Sequence, residues 1–284
     1  MSEAGANLLC FGMGYTANAL AASLDRGRWT VTGTFRDGDT NPSGDSNMVA
    51  FDGAEADLAS ASHVLVSTPP GEAGDPVLAR YGEPLAASKN LEWIGYLSTT
   101  GVYGDTGGAL ADETAACAPT NDRSRWRLDA EMAWQAQEIP LHIFRLAGIY
   151  GRGRSTFDQL RSGAARRIER PGYKFSRIHV KDVANILRAS MAAPAPGAIY
   201  NVCDDEPAAQ AEVIAYACGL LHMAPPPLIP FEDAEPKMSP MARSFWSDNR
   251  LIDNARIKRD LGVTLIYPNY RSGLDAILAA ENSE

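Results

Sequence analysis

Gly12 and Gly14 flank one residue, and the small Ala17 stands three positions further on, in "GMGYTA". An apolar run, "NLLCF", leads into this stretch and a helical pattern, "TANALAASL", leads out of it. In that setting the first glycine permits a tight turn and the second lets backbone approach a pyrophosphate. Ala17 lets helix and strand pack closely, and the helix N-terminus attracts phosphate charge. The chemistry indicated is the holding of a dinucleotide by Gly12, Met13, Gly14, Tyr15 and Thr16; the alternative is an ordinary glycine-rich turn. Arg36 closes the next apolar run, "WTVTGTF". An arginine there suits the 2′-phosphate of NADP, where NAD would want an acid. Asp37 and Asp39 follow at once and keep NAD open, and a solvated loop arginine is the other reading. Asp52 ends "VAFD", where it is placed to meet an adenine amino group. Ser67, Thr68 and Pro69 end the fourth run, where the chain passes under a cofactor, and proline there removes a donor and stiffens the loop.

The elements that must position these residues alternate. Apolar runs ("NLLCFG", "WTVTGTF", "NMVAF", "HVLVST", "WIGYLST", "LHIFRLAG", "AIYNV") are separated by helical patterns. That rhythm argues for a parallel sheet flanked by helices, and runs that are apolar throughout suit strands covered on both faces. The expected fold is α/β, a Rossmann-type doubly wound parallel sheet with a small interleaved C-terminal substrate lobe. Residues 1–170 form mainly the dinucleotide-binding part and 171–284 mainly the lobe, with 178–203 contributing back to the sheet. The proline-rich "APPPLIPFEDAEPKMSP" cannot hold regular structure for long.

The 284 residues carry a net charge of −9, with 45% hydrophobic and 21% charged residues. Nucleic acid and anionic membrane are therefore not expected partners, although a local basic cluster can still hold a phosphate. No apolar run reaches the roughly 18 residues of a membrane span, and "MSEAGAN" does not read as a secretory signal. Cys10, Cys117, Cys203 and Cys218 form no C-x-x-C pair and the four histidines are scattered. No metal site is expected, and the thiols read as reduced, in a cytoplasmic protein.

In "RSRWRLDAE" Arg123 and Arg127 stand four residues apart on one face of an expected helix, where like charges repel mildly. Their context supplies a reason. "YLSTTGVYGD", "FRLAGIYGRG", "RIHVKDVANIL" and "IYNVCDDEPA" resemble, in order, motifs of the extended short-chain dehydrogenase/reductases, the NAD-dependent epimerase/dehydratase family; "NRLIDNARIKRDLG" resembles their C-terminal segment. The resemblance implies a nicotinamide cofactor, NADP by the Arg36 argument, with Ser98 beside it. It implies a small-molecule substrate, anionic or nucleotide-sugar-like, and a dimer built from sheet-flanking helices. Thr99 falls where the family keeps its catalytic Ser or Thr, with Thr100 beside it. Tyr103 and Tyr150 are further candidates for the reacting centre. The family's Tyr-x-x-x-Lys, in which tyrosine is the general acid/base and lysine lowers its pKa, aligns with Arg123 and Arg127. The catalytic tyrosine is thus missing, as in an atypical subgroup of the family. Arg127 can still hold a ribose hydroxyl or phosphate, and Arg123 would lie beside the substrate; alternatively both are solvated and Arg127 pairs Glu131. Gly148 stands where the family usually has asparagine. Arg177 and Arg250 are candidates to grip an anionic substrate.

Two functions stay open on this reading. One is an NAD(P)-binding epimerase-, dehydratase- or reductase-like enzyme working without the usual tyrosine. The other is a non-catalytic NADP-binding sensor or regulatory module.

Overall fold

The computed structural model describes residues 5–36 and 47–283. Strands β1 (Ala6–Phe11), β2 (Trp29–Phe35), β3 (Met48–Ala50), β4 (His63–Val66) and β5 (Trp93–Thr99) come first. The short β6 (Leu110–Ala111) follows, then β7 (Leu141–Leu146), β8 (Gly148–Tyr150), β9 (Arg167–Glu169), β10 (Arg177–His179) and β11 (Ile199–Val202). Among the described residues, seven strands make one sheet in the order β11-β7-β5-β4-β1-β2-β3. Every pairing in it is parallel. This is a Rossmann-type fold. The order reverses between β1 and β4, and in such sheets ligands bind in the crevice at the carboxyl ends of the strands flanking that reversal.

Parallel strands need crossovers, and the helices supply them while covering both faces. Alternate residues of β1 point opposite ways. Leu8 and Cys10 join Ala17 and Leu20 of α1 (Tyr15–Ser23) and Val183, Ile186 and Leu187 of α6 (Val180–Ala192). Leu9 and Phe11 join Tyr81 and Leu85 of α3 (Pro76–Ala87) and Ala130 and Trp134 of α4 (Asp122–Gln135). Between β3 and β4 lies the short α2 (Glu55–Ser60).

A third cluster forms the lobe core. Phe157 and Leu160 of α5 (Thr156–Arg161) pack with Ile214 and Cys218 of α7 (Gln210–Leu220) and with Tyr270 and Leu274 of the C-terminal helix Tyr270–Glu281. The proline-rich segment breaks into the strand Leu228–Pro230 and the short helices Phe231–Ala234 and Pro240–Ser244. Three small parallel pairs lie outside that sheet among the described residues: β8 with β10, β9 with the strand Leu228–Pro230, and β6 with the strand Leu251–Ile252. None of the described helices is long and apolar enough to cross a membrane.

The third apolar run ends earlier than the sequence suggests. β3 stops at Ala50, and Phe51–Gly53 turn in a 3-10 helix that carries Asp52.

Candidate active site

A cavity of about 1020 Å³ opens along the carboxyl edge of the sheet, between the sheet and the lobe. Thr16, Ser67, Thr99 and Arg127 line its sheet side, and Tyr150, Arg177 and Tyr270 its lobe side.

The glycine turn sits at one end. Gly12 adopts φ +86°, a left-handed conformation that favours glycine. Its N–H donates to Thr34 Oγ1 at 2.9 Å. A Cβ on Gly12 would stand 3.1 Å from Thr68 Cγ2, so the turn closes tightly on the end of β4. Gly14 caps α1 without a side-chain acceptor. A Cβ there would meet nothing nearer than Ser67 Oγ at 3.8 Å. Asn18 Nδ2 donates to Met13 O and Gly14 O and braces the turn. Ser67 and Thr68 donate backbone N–H to Phe11 O, at 2.9 and 3.1 Å. Thr68 Oγ1 is buried with no hydrogen-bond partner. An open glycine backbone, a free helix N-terminus and an orphaned hydroxyl fit a phosphate-bearing ligand. Met13 packs inward, where Gly33 makes room for it: a Cβ on Gly33 would lie 2.9 Å from Met13 Cβ. Pro69 is exposed, and so is Arg36 at the end of β2. Asp37 and Asp39, the acids that keep NAD open, lie outside the described residues. Asp52 is exposed outside the cavity lining and faces Arg80 at 4.0 Å.

The hydroxyl strand behaves differently at each residue. Ser98 Oγ donates to Glu131, so this hydroxyl is committed to the protein. Thr99 Oγ1 accepts from Gly101 N at 3.1 Å and lines the cavity, as does Thr100. Tyr103 is not in the lining. Its hydroxyl donates to Asn201 Oδ1 at 2.7 Å and accepts from Arg145 at 2.9 Å, and burial pushes its pKa up to about 12. A phenol held this way is a strut between β11 and β7 rather than a group at a reacting centre.

The two arginines of α4 separate. Asn121 caps the helix through a bond from Ser124 N at 3.0 Å, which puts Arg123 in the first turn, exposed and off the cavity. Arg127, one turn deeper, lines the cavity. Its Nη1 donates to Leu97 O at 2.7 Å and Tyr96 Oη at 3.4 Å, with the guanidinium 5.6 Å from the Tyr96 ring. Glu131 is not its partner. That carboxylate is 1% exposed and pairs Arg145 at 2.7 Å. Arg145, itself 5% exposed, comes from the otherwise apolar β7. Ser98, itself in the cavity lining, thus joins Glu131, Arg145, Tyr103 and Asn201 in one buried polar network under the cavity.

On the lobe side, the β8–β10 pairing sets Arg177 opposite Gly148 and His179 opposite Tyr150. Tyr150 lies across the C-terminal helix, where a Cβ on Gly273 would meet its hydroxyl at 2.1 Å. Its ring edge meets His179, centroids 5.2 Å apart. His179 Nδ1 accepts from Lys181 N, and burial holds its pKa down to about 4, so the ring is a neutral helix cap near pH 7. Arg177 Nη1 donates to Phe175 O at 2.8 Å and Ala208 O at 3.0 Å. Arg250 pairs Asp248 at 2.7 Å and donates to Gly104 O, so its charge is met within the protein. Sequence reasoning passed over Lys174 and the apolar wall of Phe175, Phe245 and Trp246, which also line the cavity. Phe245 is 66% exposed despite its size, and its place in a proline-rich stretch hid it.

Asp204, at the end of β11, was also passed over. It is 2% exposed, and its Oδ2 has no partner. Burial raises its pKa to about 8, against a smaller opposing pull from Arg177. A raised pKa contributes stability that is full below the unfolded value, near 4, and is lost as pH rises through the folded value. Asp204→Asn keeps the acceptor for Glu206 N and removes the titration. Between pH 5 and pH 7 the wild-type protein should therefore lose about 2–3 kcal/mol relative to Asp204→Asn. Urea unfolding of both proteins at the two pH values measures this; parallel pH profiles would mean that Asp204 is ionised throughout.

No protein-family model matches the chain. Human epimerase family protein SDR39U1, crystallised with NADPH, superposes with a TM-score of 0.76 over 97% of this chain and 99% of its own, at 18% identity. The fold is shared with that protein and with a putative NAD-dependent epimerase/dehydratase from Methylobacillus flagellatus, at a TM-score of 0.72 and 24% identity over 98% of this chain and 99% of that one. Protein YeeZ of Escherichia coli (strain K12) is 28% identical over 280 residues, 91% of this chain and 95% of YeeZ. A functionally unknown conserved protein from Silicibacter pomeroyi DSS is 50% identical, with a TM-score of 0.91 over 97% of this chain and 99% of that one. This chain belongs to the same family as the Silicibacter protein.

Proposed function

We propose that the protein binds a nicotinamide dinucleotide, NADP in preference to NAD, and acts as a reductase-, epimerase- or dehydratase-like enzyme on a small anionic metabolite. The observation that carries this reading is the open glycine turn, whose next residues Tyr15 and Thr16 line the same cavity as Ser67, Thr99, Arg127 and Arg177. The division into a mainly dinucleotide-binding part over 1–170 and a mainly substrate-binding lobe over 171–284, with 178–203 returned to the first, belongs to the proposal; Tyr150, the Gly151–Arg154 loop and α5 of the first stretch stand on the lobe side. So does a homodimer using the sheet-flanking α4, which exposes Met132.

Gly12 to Thr16 would hold the pyrophosphate, and Arg36 the 2′-phosphate. A bound nicotinamide supplies a hydride donor or acceptor. Thr99 offers the substrate a hydroxyl. A guanidinium donates hydrogen bonds and accepts none, so Arg127 is no base. It would hold a ribose hydroxyl or stabilise negative charge on a substrate oxygen, without moving the proton itself. Arg177 would hold the substrate anion, and Phe175 and Phe245 would cover its apolar part.

The alternative, a cofactor-binding module without turnover, draws support from Arg123: the position aligned with the family's catalytic tyrosine is exposed and outside the cavity. Turnover of nicotinamide fluorescence with candidate anionic carbonyl compounds separates the two.

Titration calorimetry with NADP and NAD tests the cofactor. A charge-assisted bond is worth about 1.5–3 kcal/mol. Arg36→Ala should therefore weaken NADP by about 10- to 100-fold and leave NAD nearly unchanged. Equal affinities for the two in the unmodified protein defeat the NADP preference, and binding of neither defeats the whole reading.

A further inference from the structure

Arg154 stands immediately before Ser155, the cap of α5, in a tight loop closed by reciprocal backbone hydrogen bonds between Gly151 and Arg154 at 3.1 and 3.0 Å. The loop comes from the lobe side of the cavity, yet it is joined to the glycine turn. Tyr15, the first residue of α1, reaches across and donates its hydroxyl to Arg152 O at 3.0 Å. The approach is close: a Cβ on Gly151 would meet the Tyr15 hydroxyl at 2.4 Å. The Arg154 guanidinium stands 5.7 Å from the centre of the Tyr15 ring.

Arg154 is exposed and lines the cavity together with Tyr15, Thr16 and Ser67. Among the described residues it forms no ion pair with a carboxylate. The nearby acid, Asp158, is engaged elsewhere: its Oδ2 accepts from Ser155 N at 2.7 Å and Ser155 Oγ at 2.8 Å. A cation is thus held one aromatic ring away from the N-terminus of α1, with its charge unmet. A helix N-terminus and an arginine that line one cavity are together complementary to a dianionic group held between them.

We propose that Arg154 closes over the pyrophosphate of the bound dinucleotide, with Tyr15 as its platform, so that the two phosphates are held from the α1 side and from the lobe side. The inference rests on the dinucleotide reading above and adds a contact from outside the glycine motif. It makes the loop from Gly151 to Arg154 part of the cofactor site, and it ties the lobe to the sheet domain when cofactor is bound.

ADP-ribose carries both phosphates and no nicotinamide, so it isolates this contact. Calorimetry on the full-length protein should show Arg154→Ala binding ADP-ribose at least about tenfold more weakly, with Arg154→Lys recovering most of the loss. Adenosine 2′-monophosphate, which lacks the pyrophosphate, should bind wild type and Arg154→Ala alike. The unfolding temperature should not change, since the side chain is exposed. An Arg154→Ala protein that binds ADP-ribose with wild-type affinity overturns the assignment and leaves the dinucleotide reading standing. A loss of the same size for adenosine 2′-monophosphate also overturns it, because the effect would then not come from the pyrophosphate. A wild-type protein that binds neither NADP nor ADP-ribose defeats the dinucleotide reading and this inference with it, and one that binds NADP but no ADP-ribose overturns this inference alone.

Discussion

Gly14→Val should abolish dinucleotide binding and leave the protein folded. Gly14 has φ −84° and ψ −169°, an extended conformation open to valine. The nearest atom to an added Cβ is Ser67 Oγ at 3.8 Å, so the protein itself accepts the side chain. What does not accept it is a phosphate resting on the backbone of the turn. Valine there fills the approach and shields the N–H groups of the first helical turn. The expected loss is at least about 100-fold in affinity, equivalent to about 3 kcal/mol, while a poorer N-cap costs the fold about 1 kcal/mol or less. Calorimetry with NADP, paired with thermal unfolding, reads both quantities. Unchanged affinity in a folded variant would show that the turn is not where a dinucleotide sits. Gly12 is a poor choice for the same test, because φ +86° and the Thr68 contact would strain the fold itself.

Glu131→Gln should be the most destabilising single change in the cavity floor. Glu131 and Arg145 are almost wholly buried, and the pair is joined through Arg145 Nε and Nη2, with Ser98 donating to the same carboxylate. Removing one charge leaves the other desolvated and unpaired, at a typical cost of about 3–5 kcal/mol. Glutamine preserves shape and one acceptor, which makes the charge itself the variable. Replacing both partners, as in Glu131→Leu with Arg145→Met, should recover much of the loss, since an apolar pair of similar volume is often no less stable. Urea unfolding of the single and double variants measures the difference. A loss below about 1 kcal/mol for Glu131→Gln would mean that solvent reaches Arg145.

The central sheet was legible because the inner apolar runs, β4, β5 and β7, are strands covered on both faces and the helical patterns between runs are crossovers. The position of the glycine turn was legible for the same reason: strand, turn and helix are contiguous in the chain. Pairings across the chain were not. The spacing of Arg127 and Glu131 offered a helical ion pair, but Arg145, fourteen residues further on, buries deeper and takes the carboxylate through more hydrogen bonds. Arg250 looked like a free cation until Asp248, two residues earlier, was seen folded back on it. Arg123 shares a helix face with Arg127, yet the Asn121 cap sets where the helix begins and leaves Arg123 at its exposed end. Arg154 carried no motif of its own, since its place depends on a tyrosine 139 positions away in the chain.

The cavity floor and the cavity wall differ in how they treat charge. Below, Glu131 and Arg145 cancel. Above, Arg127, Arg154, Lys174 and Arg177 line the space without an ion-paired carboxylate among the described residues; of the acids in the same lining, Asp248 pairs Arg250 and Asp158 accepts from Ser155, so the cations are in excess. The chain as a whole carries −9. An anion approaching from solution therefore meets repulsion at long range and attraction only inside the mouth. The outer field fades over a Debye length of about 8 Å at physiological ionic strength, whereas charges within a low-dielectric cleft are screened far less. Moderate salt should thus ease the entry of an anion before it weakens the hold.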